Sequence, residues 1–133
     1  MTVFVDTSAF LAVLNADDRF HLAASRCWEE LISTEQRLAC SNYILVETIA
    51  LLQNRFGMEA VRVFENDVLP IIDILWVDRD THSLGVSALL AANRRNLSLV
   101  DCTSFAIMRQ SNMRQVFVFD VHFAELGFEV IPK

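Results

Sequence analysis

Residues that interrupt regular structure are scarce in this 133-residue sequence, which has only three glycines and two prolines. No Gly-, Ser- or Pro-rich linker, internal repeat or low-complexity tract divides the chain, so we expect a single domain over residues 1–133. Cysteine is scarce as well. Cys27, Cys40 and Cys102 are odd in number and form no CxxC pair. They predict small buried side chains in a reducing compartment and argue against a zinc site.

Long hydrophobic runs are also missing. No apolar run approaches the roughly 18 residues that a membrane span needs, and no basic region leads into an apolar signal core at the amino terminus. We therefore expect a cytoplasmic protein that has no membrane contact.

Lysine is nearly absent, since ten of the eleven basic residues are arginine and the only lysine is Lys133. The net charge of −6 would normally count against a nucleic-acid partner, because phosphates favour a basic face. Acids that bind a cation would remove part of that objection.

Hydrophobic residues, by contrast, are abundant. They make up 53% of the chain, which excludes a disordered protein. A domain of this size has difficulty burying so much apolar surface alone, so we expect a homodimer or a partner interface.

The apolar pattern predicts an α/β fold. Short apolar runs predict strands at Thr2–Val5, Leu38–Cys40, Ile71–Val77, Val116–Phe119 and Phe128–Ile131. Helical periodicity predicts helices over Thr7–Leu14, His21–Glu35, Asn42–Arg55, Met58–Val68, Thr81–Arg95, Leu99–Gln110 and Val121–Leu126. The helix caps are predicted at Thr7 or Ser8 for the first helix and at Asp78 or Asp80 for the fifth. Strands alternating with helices imply a mostly parallel sheet that is covered on both faces.

Four acidic residues stand in segments that are otherwise apolar: Asp6, Glu47, Asp101 and Asp120. Asp6 and Asp120 directly follow predicted strands, so both should lie at the carboxyl edge of the sheet, where ligands of such folds gather. Glu47 has largely apolar neighbours on its helix face, which predicts a carboxyl group that is neutral, paired or bound to a cation. Asp101 stands near the start of its helix, where the helix dipole favours an anion.

Each acid taken singly is more often a helix cap, a strand-end turn or a solubilising charge than a ligand. Asp78 also ends an apolar run, IIDILWVD, yet the following RDTH predicts a cap at Asp78 or Asp80, and Asp73 inside the run can mark an exposed sheet edge. The joint pattern is the stronger signal. Four acids in one cleft would repel one another unless a divalent cation bound them, and oxygen ligands select Mg²⁺ or Mn²⁺ over zinc. Such a site suits the hydrolysis of phosphodiesters. Spacing alone does not show whether the four acids meet.

The sequence resembles the PIN domain family, specifically the toxins of VapBC-type toxin–antitoxin pairs. The resemblance rests on four segments in the family's order: FVDTSAFLAVLNADDRFH, SNYILVETIALLQNRFG, LSLVDCTSFAIMRQ and VFVFDVHFAELGFEVIP. Each segment carries one acid, and together they cover nearly the whole chain. The resemblance implies a three-layer α/β/α fold with a mostly parallel sheet of about five strands.

The resemblance also implies a function: an endoribonuclease dependent on Mg²⁺ or Mn²⁺. Asp6, Glu47, Asp101 and Asp120 match the family's four acidic positions, as catalytic residues and as metal ligands, direct or through water. Metal-activated water would cut RNA to leave 3′-hydroxyl and 5′-phosphate ends. The supporting residues implied by the resemblance are Thr7, Ser8 and Ser104. A homodimer and a cognate antitoxin, with a segment that fills the groove beside the site, are implied as partners.

Other polar and aromatic residues are assigned ordinary structural roles. The three histidines, His21, His82 and His122, are expected to hydrogen-bond or pack near helix starts, because metal-activated water needs no histidine. The arginines are expected on solvated helix faces. Trp28 and Trp76 are expected in the core, although an exposed tryptophan would suggest base stacking.

Two alternative functions remain open. An Asp-dependent phosphotransfer domain would use Asp6, but position 8 is a serine where such domains carry a second acid, and Lys133 is badly placed to serve as their lysine. No GxxxxGK[ST] loop is present either. A PIN fold acting only as an interaction module is the other alternative, although such a module has little physical reason to keep four mutually repelling acids.

Overall fold

The computed structural model describes residues 1–133 and contains one sheet of five parallel strands: β1 (Thr2–Val5), β2 (Arg37–Ser41), β3 (Ile72–Leu75), β4 (Gln115–Phe117) and β5 (Glu129–Ile131). The strand order is β3-β2-β1-β4-β5. Seven α-helices connect the strands: α1 (Thr7–Leu14), α2 (His21–Ser33), α3 (Asn42–Phe56), α4 (Met58–Val63), α5 (Arg79–Ala92), α6 (Leu99–Gln110) and α7 (His122–Glu125). The predicted α/β class and strand number are confirmed.

Strand β1 is the centre of the sheet. Phe4 pairs with Ala39 of β2 on one side and with Val116 of β4 on the other. Val3, Phe4 and Val5 are all buried although consecutive strand residues face opposite sides of a sheet. Both faces of β1 are therefore covered, as a parallel sheet requires.

The hydrophobic core is one cluster of 28 buried residues. Edge-to-face aromatic pairs join its elements, with ring centroids 5.1 Å apart for Phe10 and Phe64 and 4.8 Å apart for Phe105 and Phe123. All three cysteines are buried free thiols, as predicted. No helix of the structure combines the length and the apolar character that crossing a membrane requires.

The strand order determines where the acidic segments lie. Asp6 follows β1 directly, Ser41 ends β2 and caps α3, and Asp120 comes soon after β4. Because β1 lies between β2 and β4, these three chain segments leave adjacent strands at the same carboxyl edge. The fold thus brings distant parts of the sequence together at that edge.

Two predicted boundaries differ from the structure at β3. The strand β3 lies at the edge of the sheet and ends at Leu75. Beyond Leu75 the backbone no longer pairs with a neighbouring strand, and the N–H of Val77 donates to Asn42 Oδ1 at 2.7 Å. Trp76 is 73% exposed, so its predicted place in the core is wrong. Trp28 does pack against the core, as predicted.

The predicted helix over Met58–Val68 is divided. Its α-helical part, α4, ends at Val63, and the chain continues through a π-helical turn (Phe64–Val68) and a 3₁₀ turn (Leu69–Ile71) that contains Pro70. The cap of α1 is Asp6 rather than Thr7 or Ser8, and Asp78 caps α5 by accepting from the N–H of Thr81. Asp73 is exposed on edge strand β3, where it pairs with Arg37, as its predicted edge position requires.

Helices α5 and α6 approach closely at Gly85. A Cβ atom at this position would lie 2.4 Å from Thr103 Cγ2. Thr103 is fully buried, and its hydroxyl donates to the carbonyls of Leu99 and Val100, so the methyl group has little freedom to move away. Gly85 therefore permits the close packing that places α6, the helix of Asp101.

We predict that Gly85→Ala destabilises the protein by about 1–3 kcal/mol through overpacking, even though alanine is the better helix former. Ser87→Ala, on the exposed side of the same helix, is the matched control and should leave stability unchanged or slightly raised. Thermal and urea unfolding measure both changes. A Gly85→Ala protein as stable as the unchanged chain would show that the helix contact relaxes freely.

Candidate functional site

The first acid, Asp6, is held by the residue two positions further along. Its carboxylate Oδ2 accepts hydrogen bonds from the Ser8 backbone N–H at 3.0 Å and from Ser8 Oγ at 2.7 Å. Ser8 Oγ in turn accepts from the N–H of Phe119 at 3.0 Å. Because Phe119 precedes Asp120, a single hydroxyl joins the segments that carry the first and the fourth acids.

Glu47 is half-buried on α3, and Thr7 and Thr48 lie beside it. Thr48 Oγ1 donates to Thr7 Oγ1 at 3.1 Å, so the hydroxyl hydrogen of Thr7 is left for another acceptor. Glu47 is the group whose charged form Thr7 stabilises. The predicted supporting residues Thr7 and Ser8 thus both lie beside a predicted acid.

Asp101 forms a reciprocal capping box with Ser98 at the start of α6. The backbone N–H of Ser98 donates to Asp101 Oδ2 at 3.1 Å, and the backbone N–H of Asp101 donates to Ser98 Oγ at 3.0 Å. These two bonds fix the carboxylate against its own helix.

Asp120 is held by His122, which follows it by two residues in the chain. Its Oδ1 accepts from the backbone N–H of His122 at 2.8 Å, and the ring Nε2 of His122 lies 3.6 Å from the same oxygen. Candidate ligand atoms of Asp101, Asp120 and His122 all lie within 4.8 Å of one another.

The four predicted acids meet electrostatically. Burial raises the pKa of Asp6 to about 7, against the lowering effect of the Ser8 hydrogen bonds and with further raising by Asp101 and Glu47. Burial also raises the pKa of Glu47, and the charges of Asp101 and Asp120 add to the increase. Burial raises the pKa of Asp101 above its ordinary range as well, against the Ser98 hydrogen bond and with a contribution from Asp120. The pKa values of Asp6 and Glu47 are thus each raised by two of the other acids, and that of Asp101 is raised by Asp120.

The third predicted supporting residue, Ser104, lies one turn after Asp101 and is completely buried. Its Oγ has no hydrogen-bond partner. Its place near Asp101 agrees with the expectation, but no contact links it to an acid. The role assigned to Ser104 stays a prediction.

The other histidines and several arginines are engaged elsewhere. His21 Nδ1 contacts the carbonyl of Ala12 at 2.8 Å, and His82 contacts the Tyr43 hydroxyl. The Arg94 guanidinium pairs with Glu125 at 3.1 Å, while Arg19 and Arg109 lie over the rings of Phe20 and Phe128.

Sequence reasoning missed Ser98, and it expected His122 only to hydrogen-bond or pack near a helix start, which it does. Ser98 carries a readable signal, because serine three residues before an acid at a helix start is the pattern of a capping box. His122 has no comparable signal for its ring contact with Asn96, which lies 26 positions away in the sequence.

A cavity of about 500 Å³ lies between α5, α6 and α7, and His122, Cys102 and Arg94 are among its lining residues, whereas none of the four acids lines it. A cavity of about 790 Å³ lies at the other end of the molecule. Met1, Gln36, Gln115 and Glu129, which line it, stand at the amino ends of the strands, so this larger cavity is remote from the acids.

Comparison with known proteins identifies the family. Residues 3–129 match the PIN domain. With a parallel α/β sheet and four acids at its carboxyl edge, this chain belongs to the PIN domain family.

Among individual proteins, the chain is 35% identical over 133 residues to the 23S rRNA-specific endonuclease VapC20 of Mycobacterium tuberculosis (strain H37Rv), covering 98% of this chain and 99% of that protein. The crystal structure of M. tuberculosis VapC20, described as a Sarcin-Ricin loop cleaving toxin, matches with a TM-score of 0.82 at 32% identity over 95% of each chain. FitAcB from Neisseria gonorrhoeae shares the fold, with a TM-score of 0.69 at 18% identity, covering 98% of this chain and 96% of that one. The comparisons confirm the predicted resemblance to PIN-domain endoribonucleases of the VapC toxin type.

We predict that the metal-free protein loses stability as the pH rises from about 4 to about 7. A carboxyl whose pKa is raised in the folded state favours folding while protonated, and this contribution is lost as the pH passes through the folded pKa, about 7 for Asp6. Thermal unfolding in EDTA at constant ionic strength measures how steeply stability falls with pH. The control is Asp6→Asn, in which stability should depend less on pH. Equal slopes in the two proteins would contradict the expectation.

Proposed function

We propose that this chain is the toxin of a type II toxin–antitoxin pair and that it hydrolyses RNA phosphodiester bonds with Mg²⁺ or Mn²⁺ held by Asp6, Glu47, Asp101 and Asp120. The observation that supports this most directly is the convergence of the four carboxyl groups at one edge of the sheet, where burial and mutual repulsion raise the pKa of three of them. Such an arrangement is costly without a bound cation.

The donor set fits a hard divalent cation. The four acids supply oxygen only, which suits Mg²⁺ or Mn²⁺ rather than zinc. Both hydrogen bonds to the Asp6 carboxylate go to Oδ2, so Oδ1 is available as a ligand atom. The bonds from Ser98 to Asp101 and from His122 to Asp120 likewise involve one oxygen of each carboxylate.

When bound, the cation would lower the pKa of a water molecule and stabilise charge on the phosphate oxygens. The residues of the chain supply placement. Ser8, Ser98 and the backbone N–H of His122 each orient one carboxylate, so three of the proposed ligands are held by hydrogen bonds of the chain itself. This preorganisation lowers the reorganisation needed during the reaction. The hydroxyl of Thr7 favours the charged form of Glu47.

The substrate proposed is 23S rRNA at its sarcin–ricin loop. The support is the identity of 35% to a 23S rRNA-specific endonuclease along nearly the whole of both chains, together with a structural match to a toxin that cleaves this loop. If this chain cleaves another RNA, the residues that select it lie outside the four acids.

The proposed partners are a cognate antitoxin and a second copy of this chain, acting in the cytoplasm. Several of the matching solved structures are toxin–antitoxin complexes. Large hydrophobic side chains remain exposed on the monomer, including Val46, Trp76, Leu90 and Val121. Where such side chains form a contiguous patch, they mark an interaction surface.

We predict that Asp101→Asn lowers RNA cleavage by more than about 100-fold while the fold is kept, because a metal ligand should contribute more than an outer-shell residue does. Asp73→Asn is the matched control: it removes the same charge from an exposed sheet edge, where Asp73 pairs with Arg37, and should cut normally. Cleavage is measured in Mg²⁺, Mn²⁺ and EDTA. Full activity of Asp101→Asn would remove Asp101 from the mechanism, and activity in EDTA would contradict the dependence on metal.

We predict further that the purified protein cuts 23S rRNA in intact ribosomes once, within the sarcin–ricin loop, and leaves a 3′-hydroxyl and a 5′-phosphate. Primer extension and end labelling locate the cut and identify the ends. Cleavage of transfer RNA or messenger RNA instead would keep the nuclease and change its target. No cleavage of any RNA by a metal-loaded, antitoxin-free protein would favour the interaction-module function.

A further inference from the structure

His122 lies at the junction of the two segments that carry Asp101 and Asp120. It begins α7 two residues after Asp120, and its side chain is only 7% exposed. The backbone N–H of His122 donates to Asp120 Oδ1 at 2.8 Å. Its ring Nε2 lies 3.1 Å from the carbonyl oxygen of Asn96, in the segment that leads into α6. One residue thus contacts both sides of the site.

The Asn96 contact determines which ring nitrogen carries hydrogen. A carbonyl oxygen only accepts, so Nε2 must donate to it. A bare Nε2 would instead direct its lone pair at the Asn96 oxygen and at the Asp120 carboxylate 3.6 Å away, and both are repulsive. Nε2 keeps its hydrogen in the neutral and in the protonated ring alike. Nε2 is therefore unavailable as a metal ligand, although His122 belongs to the group of candidate ligand residues. The other ring nitrogen, Nδ1, has no hydrogen-bond partner and lies 3.9 Å from Glu125 Oε2, so the test below must also detect nitrogen bound through Nδ1.

The ring contact acts on Asp101 through a short path. Asn96 precedes Ser98 by two residues, and Ser98 and Asp101 hold each other by two reciprocal hydrogen bonds. A second link between the same segments, the Arg94–Glu125 ion pair, has both side chains over 40% exposed, and exposed pairs contribute little. The buried His122 bond is the stronger constraint, because losing it leaves the Asn96 carbonyl without its donor.

We propose that His122 is a positioning residue: its backbone N–H holds Asp120 and its ring N–H holds the segment leading to Asp101, so that it sets the spacing of the two carboxylates without binding metal. The inference rests on the proposed metal site. It assigns to His122 a role comparable to that of the outer-shell residues that orient metal ligands in other proteins.

Three substitutions separate this role from the alternatives. His122→Gln keeps an N–H donor near the position of Nε2, whereas His122→Phe keeps the ring volume without a donor. Arg94→Ala removes only the exposed ion pair and is the control. Calorimetry with Mn²⁺ alone measures metal affinity, thermal unfolding measures stability, and electron spin-echo modulation of the Mn²⁺-loaded protein detects a directly bound nitrogen.

We expect the Mn²⁺ dissociation constant to rise about 10- to 100-fold in His122→Phe and to stay within about threefold in His122→Gln and Arg94→Ala. No directly bound nitrogen should be detected. If His122→Phe does not fold, His122→Asn takes its place, since its amide nitrogen corresponds to Nδ1 and does not reach Asn96.

Three results would overturn the proposal. A bound-nitrogen signal would make His122 a ligand, and equal losses in the Gln and Phe variants would show that the ring N–H donor is not what matters. Unchanged Mn²⁺ affinity in His122→Phe would reduce its role to packing. Failure of the proposed function is recognised in the unsubstituted protein, which would then bind Mn²⁺ without cutting RNA or would bind no Mn²⁺ at all.

Discussion

The constraint on which the rest of this structure depends is the mutual repulsion of partly buried carboxylates at the carboxyl edge of the sheet. In water such charges would interact weakly, but burial raises the energy of each ionised acid and strengthens its repulsion of the others. The chain meets the constraint at two levels. Sheet order places the segments after β1, β2 and β4 side by side, and hydrogen bonds from residues at most three positions away orient the carboxylates of Asp6, Asp101 and Asp120.

The sequence predicts the regular elements well where burial is uniform. Strand Thr2–Val5 and helix Leu99–Gln110 have their predicted bounds. In both, the apolar pattern stops at the same residues where the flanking polar residues begin. The prediction fails at Trp76, where an apolar run continues past the end of an edge strand. Hydrophobic runs carry no information about which strand is at an edge, so exposure of Trp76 depends on strand order and on the contact from Asn42 to Val77.

The acids of the site could be selected from the sequence because ionisable residues in apolar segments need a partner. Their convergence could not be derived in the same way, since Asp78 also ends an apolar run and is only a helix cap. What distinguishes the two cases is the position of each strand in the sheet. The His122 contact was beyond prediction for a related reason: it depends on how α7 faces the segment before α6, which no local pattern encodes. The four metal-binding assignments stay predictions until metal is measured.

The buried cysteines carry a consequence for redox chemistry. Burial raises the pKa of Cys27 to about 11, with a contribution from Glu30, and that of Cys40 to about 12. Burial followed by the charge of Asp101 raises the pKa of Cys102, which lies beside the acids. At neutral pH all three remain thiols, whereas peroxides and disulfides react with thiolates. The edge of the sheet that carries the four acids therefore contains no cysteine thiolate that an oxidant could attack at neutral pH.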